Sequence, residues 1–443
     1  MQKDRTIAAP ATAIGDGGIA IVRISGDDSE RIMRQLFQPA GPCEFASNML
    51  YYGHIIYKGE VLDECMAVIM RAPKSYTRED VCEFHLHGGS QTINDVLSAV
   101  YDCGAFPAEP GEFTKRAFLN GRIDLSRAEA VMSLISARSK VSARAALHQL
   151  EGRTGQLIRK VQEDLLNILS SLEAAIDYPE EIDETQTLEE ISSECMRLAD
   201  LLRTSCDERA AKALESGLDV VICGCPNAGK SSLLNYLLNE ERAIVTDIPG
   251  TTRDIVREYT DIGGIKVNLS DTAGIHDTSD PVEQIGIVKA RQAMNKADVV
   301  ILLIEAEKLG SAQSEALKEA VLSMPHIIVY SKIDLLDKYD IIPDDGICIS
   351  VKNGFGIEEL KNRILSFAGN CDEIPITSVR HTRLALKAAD ELENASKTAK
   401  SMSAPEFCAI DLHSALDTVS EITGDRVDEE LLNTIFSRFC VGK

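Results

Sequence analysis

What this chain lacks narrows it first. No apolar run reaches the roughly 18 residues that cross a bilayer. The opening stretch, MQKDRTIAAPATAIGDGGIAIVRISG, has neither the basic start nor the long apolar core of a secretory leader, so a cytoplasmic protein is expected. The twelve cysteines never fall into CxxC spacing or a Cys/His zinc pattern, and the nearest pair is Cys223-Gly-Cys225. In a reducing compartment they read as small hydrophobes or spare thiols. His85 and His87 share a strand face in EFHLHGG but bring no obvious third metal ligand. Positive charge is scarce: 46 Lys and Arg stand against 70 Asp and Glu, a net charge of −24. That excludes a broad nucleic-acid surface, so any RNA contact must be local or supplied by a partner. There is no internal repeat and no low-complexity tract. The final FCVGK is no prenylation box, because Gly442 is not aliphatic and Lys443 is not a usual acceptor position residue.

At 443 residues, 44% hydrophobic and 26% charged, the chain has room for two to four domains with their own cores. Residues 1–120 alternate short strands (18–26, 59–73) with turns and one helix (88–105), an α+β pattern. From Asp124 the period becomes helical, as in Leu125, Ala128, Val131, Met132 and Ile135. Helices continue to about Leu214, broken by the acidic DYPEEIDE loop at 177–184. After about residue 217, apolar strands alternate with helices (LDVVICG, IKVNLSD, ADVVILLIE, HIIVYSK, GICISVK), which predicts a parallel doubly wound sheet. The helical period returns after Cys371. The expected organisation is 1–120, 121–216, 217–371 and 372–443, with the α/β domain inserted into a helical one.

The strand DVVICG runs into GCPNAGKS, Gly224 to Ser231, and then the helix SLLNYLLNE. This is G-x-x-x-x-G-K-[ST] in its proper strand–loop–helix setting. Gly224 and Gly229 let backbone N–H groups turn toward phosphate oxygens. Lys230 suits the β/γ-phosphates and Ser231 suits Mg²⁺. Four further segments follow in order. TDIPGTTRD (246–254) reads as a switch loop whose Thr252 completes the Mg²⁺ shell. DTAG (271–274) offers Asp271 to the metal through water and the Gly274 N–H to the γ-phosphate. SKID (331–334) offers Asp334 to the guanine N1–H and N2–H₂, a donor pair that adenine lacks. SVK (350–352) places a backbone N–H near the guanine O6. The set predicts a GTPase. Ser331 replaces the usual asparagine of N-K-x-D; being shorter, it is expected to weaken affinity without relaxing base choice. Ile275 stands where Ras-like enzymes carry a water-orienting Gln, so another group must orient water. Asn227 suits either a monovalent cation or a loop-stabilising hydrogen bond.

These motifs, with VEQIGI, PGEFTKRAFLNGRIDLSRAEAV and the terminal FCVGK, resemble the TrmE-Era-EngA-like GTPases, and among them the MnmE (TrmE) family of tRNA modification GTPases, nearly end to end. The resemblance implies a multidomain protein: an N-terminal α+β folate-binding domain that dimerises, an α-helical domain, and an inserted Ras-like α/β P-loop GTPase domain. It implies a homodimer that joins a FAD-dependent partner of the MnmG type in a heterotetramer. That assembly adds aminomethyl or carboxymethylaminomethyl groups to the wobble uridine of certain tRNAs, with 5,10-methylenetetrahydrofolate or a related tetrahydrofolate as one-carbon donor.

The implied GTP site takes Asn227, Ala228, Gly229, Lys230, Ser231 and Ser232 from the P-loop. From the switch loop it takes Thr246, Asp247, Ile248, Pro249, Gly250, Thr251 and Thr252. Asp271, Thr272, Ala273 and Gly274 follow, then Ser331, Lys332 and Asp334, and finally Ser350, Val351 and Lys352. Mg²⁺ would sit on Ser231 and Thr252, and K⁺ on Asn227, Thr246, Ile248 and Thr251 in place of an arginine finger. Glu283 would be the missing water-orienting group. The folate site maps to Arg23, Glu83, Arg122 and Lys443; a carboxylate such as Glu83 suits the amide/amine edge of a pterin, and the cations suit its anionic tail. The family usually has lysine at 122, and arginine there keeps charge but changes reach.

The stripe Leu432, Ile435, Phe436 and Phe439 is expected to pin the tail and deliver Cys440 toward that pocket as a functional thiol. Two other readings compete. One is a GTP-driven ribosome-assembly factor, which would need an appended RNA module such as a GxxG KH loop that is not seen. The other is a switch that only gates partner docking, with no modification chemistry of its own.

Overall fold

The computed structural model describes residues 5–13, 15, 17–178, 180–181, 183–240, 258–271, 293–336, 343–371, 374–401 and 405–443. Their contacts form two compact units: residues up to Met132 together with Ser420–Lys443, and residues between Ser133 and Val419.

In the first unit, seven strands make one sheet: β1 (Ile7–Pro10), β2 (Gly17–Ser25), β3 (Phe37–Pro39), β4 (Leu50–Tyr57), β5 (Glu60–Met70), β6 (Val81–Gly88) and β7 (Phe106–Pro107). Their order is β3-β4-β5-β6-β2-β1-β7. Side chains alternate across the pleat. Ala20, Val22 and Ile24 of β2 and Cys82, Phe84 and Leu86 of β6 therefore turn to one face. There they join Ile32, Met33 and Leu36 of helix Ser29–Leu36 and Ile93, Val96 and Val100 of helix Ser90–Asp102 in a single core. Each such fully buried aliphatic side chain contributes about 1.5–3 kcal/mol.

The same alternation sends Arg23, Glu83 and His85 to the opposite face. That face is partly roofed by Phe113, which packs with Ile7, Ala9, Ala108 and Tyr76. A third cluster joins Leu125 and Ala128 of helix Leu125–Ser136 to Leu432, Ile435 and Phe436 of helix Glu429–Phe436, and to Phe439. The expected tail stripe is therefore buried as one surface.

The second unit holds β8 (Leu218–Gly224), β9 (Glu258–Ile262), β10 (Ile265–Asp271), β11 (Val299–Glu305), β12 (His326–Ser331) and β13 (Ile347–Cys348). Their order is β13-β12-β11-β8-β10-β9. Five strands run parallel, as the βαβ rhythm predicted. β9 was not foreseen: it pairs antiparallel with β10 across a Gly263-Gly264 turn with φ of 57° and 82°. All seven residues of β11, VVILLIE, are buried, as a central strand covered on both faces requires.

Helices Lys230–Glu240 and Ile357–Leu365 pack their apolar faces into the core of this sheet, whereas helices Arg153–Asp177, Glu184–Thr204 and Val379–Lys400 of the same unit pack on one another. The helix expected to reach Leu214 is broken. Asp207 accepts the N–H groups of Arg209 and Ala210 and so starts a new helix, Glu208–Glu215. At the same break Cys206 bridges Ile376, and the Ile376 N–H donates to the Ser205 carbonyl at 3.1 Å. The chain thus enters and leaves the α/β layer at adjacent points, which is how one domain is inserted into another.

Candidate functional site

The phosphate loop begins where β8 ends. Gly224 has φ of 151°, and a Cβ there would lie 2.1 Å from the Leu303 carbonyl oxygen, so only glycine fits beside β11. Asn227 adopts the left-handed region at φ 65°, a conformation asparagine tolerates better than most residues. Gly229, at φ 93°, would aim a Cβ into open space. That space is what a loop that admits phosphate oxygens needs. Lys230 starts helix Lys230–Glu240, and its ammonium donates to the carbonyls of Gly224 (3.0 Å) and Cys225 (2.9 Å). Ser231 and Ser232 follow in the first helical turn, where the helix dipole favours an anion. The loop therefore fits a nucleotide phosphate.

Ser331 ends β12 fully buried, and its hydroxyl donates to the Ala228 carbonyl at 2.7 Å. Serine at this position thus braces the phosphate loop from β12. Lys332 sits at φ 59° and pairs with Glu305 at 2.6 Å. The neighbouring ammonium of Lys308, and then Lys332, hold the Glu305 carboxyl below its usual range. Asp334 accepts the Ser350 hydroxyl at 2.7 Å, which links the SKID and SVK segments. The Ser350 N–H is committed to the Phe355 carbonyl at 3.0 Å; Val351 is half-buried and Lys352 exposed. Two separate hydrogen bonds therefore order these segments: Ser331 to Ala228 of the phosphate loop, and Ser350 to Asp334. Thr246, Asp247, Ile248, Pro249, Gly250, Thr251, Thr252, Thr272, Ala273, Gly274 and Glu283 lie outside the described residues; Asp271 closes β10.

In the first unit a second charged site forms. Arg23 and Glu83 are register partners across β2 and β6. The Arg23 Nε donates to Glu83 at 2.7 Å. Its guanidinium lies 5.3 Å from the Tyr76 ring centre and 5.6 Å from that of Phe113. His85 completes the row, 3.3 Å from the other Glu83 oxygen. Burial raises the Glu83 carboxyl, but the hydrogen bond from His85 and the charge of Arg23 outweigh it and hold the group below the usual carboxylate range. Arg122 stacks on the outer side of Tyr76 at 4.7 Å and donates to its carbonyl at 3.2 Å.

The tail arrives from the far end of the chain. Arg23 also donates to the Gly442 carbonyl at 3.4 Å. The Cys440 carbonyl accepts the Gly111 N–H at 3.3 Å. Gly442 has φ of 95°, and a Cβ would fall 1.9 Å from the Pro10 carbonyl oxygen. Lys443 is pulled below the usual lysine range, first by burial and then by the charge of Arg23. The structure therefore gathers Arg23, Glu83 and Lys443 in one place, with Arg122 one aromatic ring away and the exposed thiol of Cys440 three residues from Lys443. A carboxylate flanked by cations and two aromatic rings fits a flat heterocycle with an amide edge. Sequence reasoning missed Tyr76 and Phe113. The signal was only an aromatic beside each turn, in SYTRED and GEFTKR. Among the described residues no three His, Cys, Asp or Glu side chains could hold a metal together; His87 instead pairs with Asp63 at 2.7 Å.

Comparison with known proteins agrees along the whole chain. The description "MnmE helical domain" matches residues 125–440, and "GTP-binding protein TrmE N-terminus" matches residues 6–122. The tRNA modification GTPase MnmE of Heliobacterium modesticaldum is 41% identical over 465 residues, covering 99% of each chain. That of Syntrophotalea carbinolica is 43% identical over 459 residues, covering 100% of each. Among solved structures, the G domain of the T. maritima FeoB iron transporter is 30% identical over 34% of this chain and 98% of its own. Its TM-score is 0.26.

Proposed function

This chain belongs to the MnmE family of tRNA modification GTPases, and on that premise we propose that it modifies C5 of the wobble uridine of certain tRNAs. The reaction would add aminomethyl or carboxymethylaminomethyl groups, with a FAD-dependent MnmG-type protein as partner and a tetrahydrofolate as one-carbon donor. The protein would act in the cytoplasm as a homodimer; among the described residues no helix is long and apolar enough to cross a membrane. The proposed domains are 1–120 for folate binding and dimerisation, 121–216 and 372–443 for the helical domain, and 217–371 for the GTPase domain.

The observation that carries this reading is the Arg23–Glu83 pair set between Tyr76 and Phe113 against the Gly442 carbonyl. Glu83 would hold the amide/amine edge of a pterin, while Arg122 and Lys443 would meet its anionic tail. Bound there, tetrahydrofolate supplies the one-carbon unit. Cys440 would serve the uridine as a nucleophile or proton carrier. In the GTPase domain, Lys230 would hold phosphate oxygens and Asp334 the guanine. Ser231 and Thr252 would hold Mg²⁺, which supplies charge neutralisation. Asn227, Thr246, Ile248 and Thr251 would hold K⁺. Glu283 would orient the attacking water, since Ile275 has no polar group to do so.

The test is mass spectrometry of wobble uridines in cells lacking this protein, paired with hydrolysis assays. The modified uridine should disappear, and turnover should be faster in K⁺ than in Na⁺. Glu283→Ala should slow turnover and leave GTP binding nearly intact. Unchanged wobble uridines would overturn the modification reading and favour a switch that gates a partner. Equal rates in both salts would remove the cation role of Asn227.

A further inference from the structure

An acidic protein that handles tRNA needs a local place for phosphates, and the second unit contains one. Its segment 133–153 carries four cations, Arg138, Lys140, Arg144 and Arg153, with His148 among them, against a single carboxylate, Glu151. In a chain with 24 more acidic than basic groups this is a reversal of sign. The arrangement is regular. Lys140, Arg144 and His148 fall at i, i+4 and i+8 on helix Lys140–Leu150, so they share one face about 6 Å apart. Arg153 opens helix Arg153–Asp177, whose N-cap, Gly152, offers no side chain to the first N–H groups.

The four cations are exposed. No side chain among them, nor that of His148, has a hydrogen bond or ion pair to another described residue. By contrast, Arg203 contacts Asp390 and Glu393, and Arg197 contacts Asp164 and Glu194. Two adjoining clefts, of about 80 and 300 Å³, run beneath the free ones. Arg138 lines the first, and Arg144, His148 and Arg153 line the second. Both share Ala145, Gln149 and Thr377. The carboxylate on this wall, Glu215, is already accepting the Val379 N–H at 3.2 Å at the start of another helix.

We propose that this stripe is the docking surface for the sugar–phosphate backbone of the substrate tRNA. Charge complementarity selects a polyanion, and the spacing along one helix face suits successive phosphates on one strand. No Phe, Tyr or Trp lines either cleft, and cations outnumber the single imidazole, so the surface is built to grip backbone more than to read bases by stacking. It orients the RNA, while the choice of uridine belongs elsewhere. This inference rests on the tRNA reading above and adds to it where the RNA is held.

The experiment is binding of an unmodified tRNA transcript to the full chain, by filter retention or fluorescence anisotropy, across a salt series. Four neutralised phosphates give log K against log salt a slope of about −3.6, a loss of roughly 100-fold between about 50 and 200 mM salt. Arg144→Glu and Arg153→Glu should each weaken binding about tenfold and flatten the slope by about 1, with GTP hydrolysis unchanged. Lys387→Glu, which alters a cation already 3.7 Å from Glu391, should leave binding as in the parent chain. Wild-type affinity in both arginine variants would overturn the proposal, as would an equal loss in Lys387→Glu. Either result can coexist with intact wobble modification in cells. Loss of the modification reading is instead detected by the uridine analysis, so the two failures are separable.

Discussion

Arg23 and Glu83 stand opposite each other on β2 and β6, and the same guanidinium that holds Glu83 at 2.7 Å also reaches the carbonyl of Gly442 at 3.4 Å. One cation thus ties the N-terminal sheet to the end of the chain. Its side chain and that of Glu83 are 15% and 12% exposed, between a surface pair and a buried one. Arg23→Ala should therefore cost about 2 kcal/mol in urea unfolding, because it strands a carboxylate in a poorly hydrated place.

The same pair sets a pH dependence. The Glu83 carboxyl is held low in the folded chain, so its contribution is complete above the unfolded carboxylate value of about 4.3 and is lost as pH falls through the lower folded value. The stability difference between the parent chain and Glu83→Gln should be constant from neutral pH down to about 5 and shrink below it. A difference that grew on acidification would contradict the assignment.

Gly442 passes so close to Pro10 that no side chain fits. Gly442→Ala should lift the last residues off β1, while helix Glu429–Phe436 stays docked through its own apolar stripe. Carboxypeptidase should then release Lys443 faster, folate affinity should fall, and GTP hydrolysis should be unaffected. Unaltered release would mean that the tail tolerates the methyl group by moving elsewhere.

Cys440 is exposed, and its neighbour Phe439 is buried among the tail cluster. Cys440→Ser should accordingly fold and keep its GTPase rate while losing tRNA modification. Full modification by the variant, measured on the isolated wobble nucleoside, would leave the thiol without a role.

Ser331 braces the phosphate loop through a single hydroxyl proton, donated to Ala228. Ser331→Ala should weaken GDP binding by about three- to tenfold, the range of one net hydrogen bond, as measured by calorimetry. Ser331→Asn should tighten binding, since an amide has donors to spare for the base as well as the loop.

Much of this was legible in the order of residues alone. The phosphate loop is a local device: glycines, lysine and serine at fixed spacing between a strand and a helix need only their near neighbours. The helical stripe Leu432, Ile435, Phe436 and Phe439 is legible for the same reason, because a period of 3.6 marks a buried face wherever it occurs. What the sequence could not decide was partnership. β9 carries few apolar residues and became a strand only because the glycine turn folds it onto β10. The break at Ser205–Asp207 depends on a bridge to Ile376, far along the chain. Tyr76 and Phe113 flank Arg23 because a loop and the start of helix Glu112–Leu119 fold over one face of a sheet, and Gly442 meets Arg23 across 419 positions. Local spacing determines which way a side chain points from its own strand or helix; only the packed chain determines what stands opposite it.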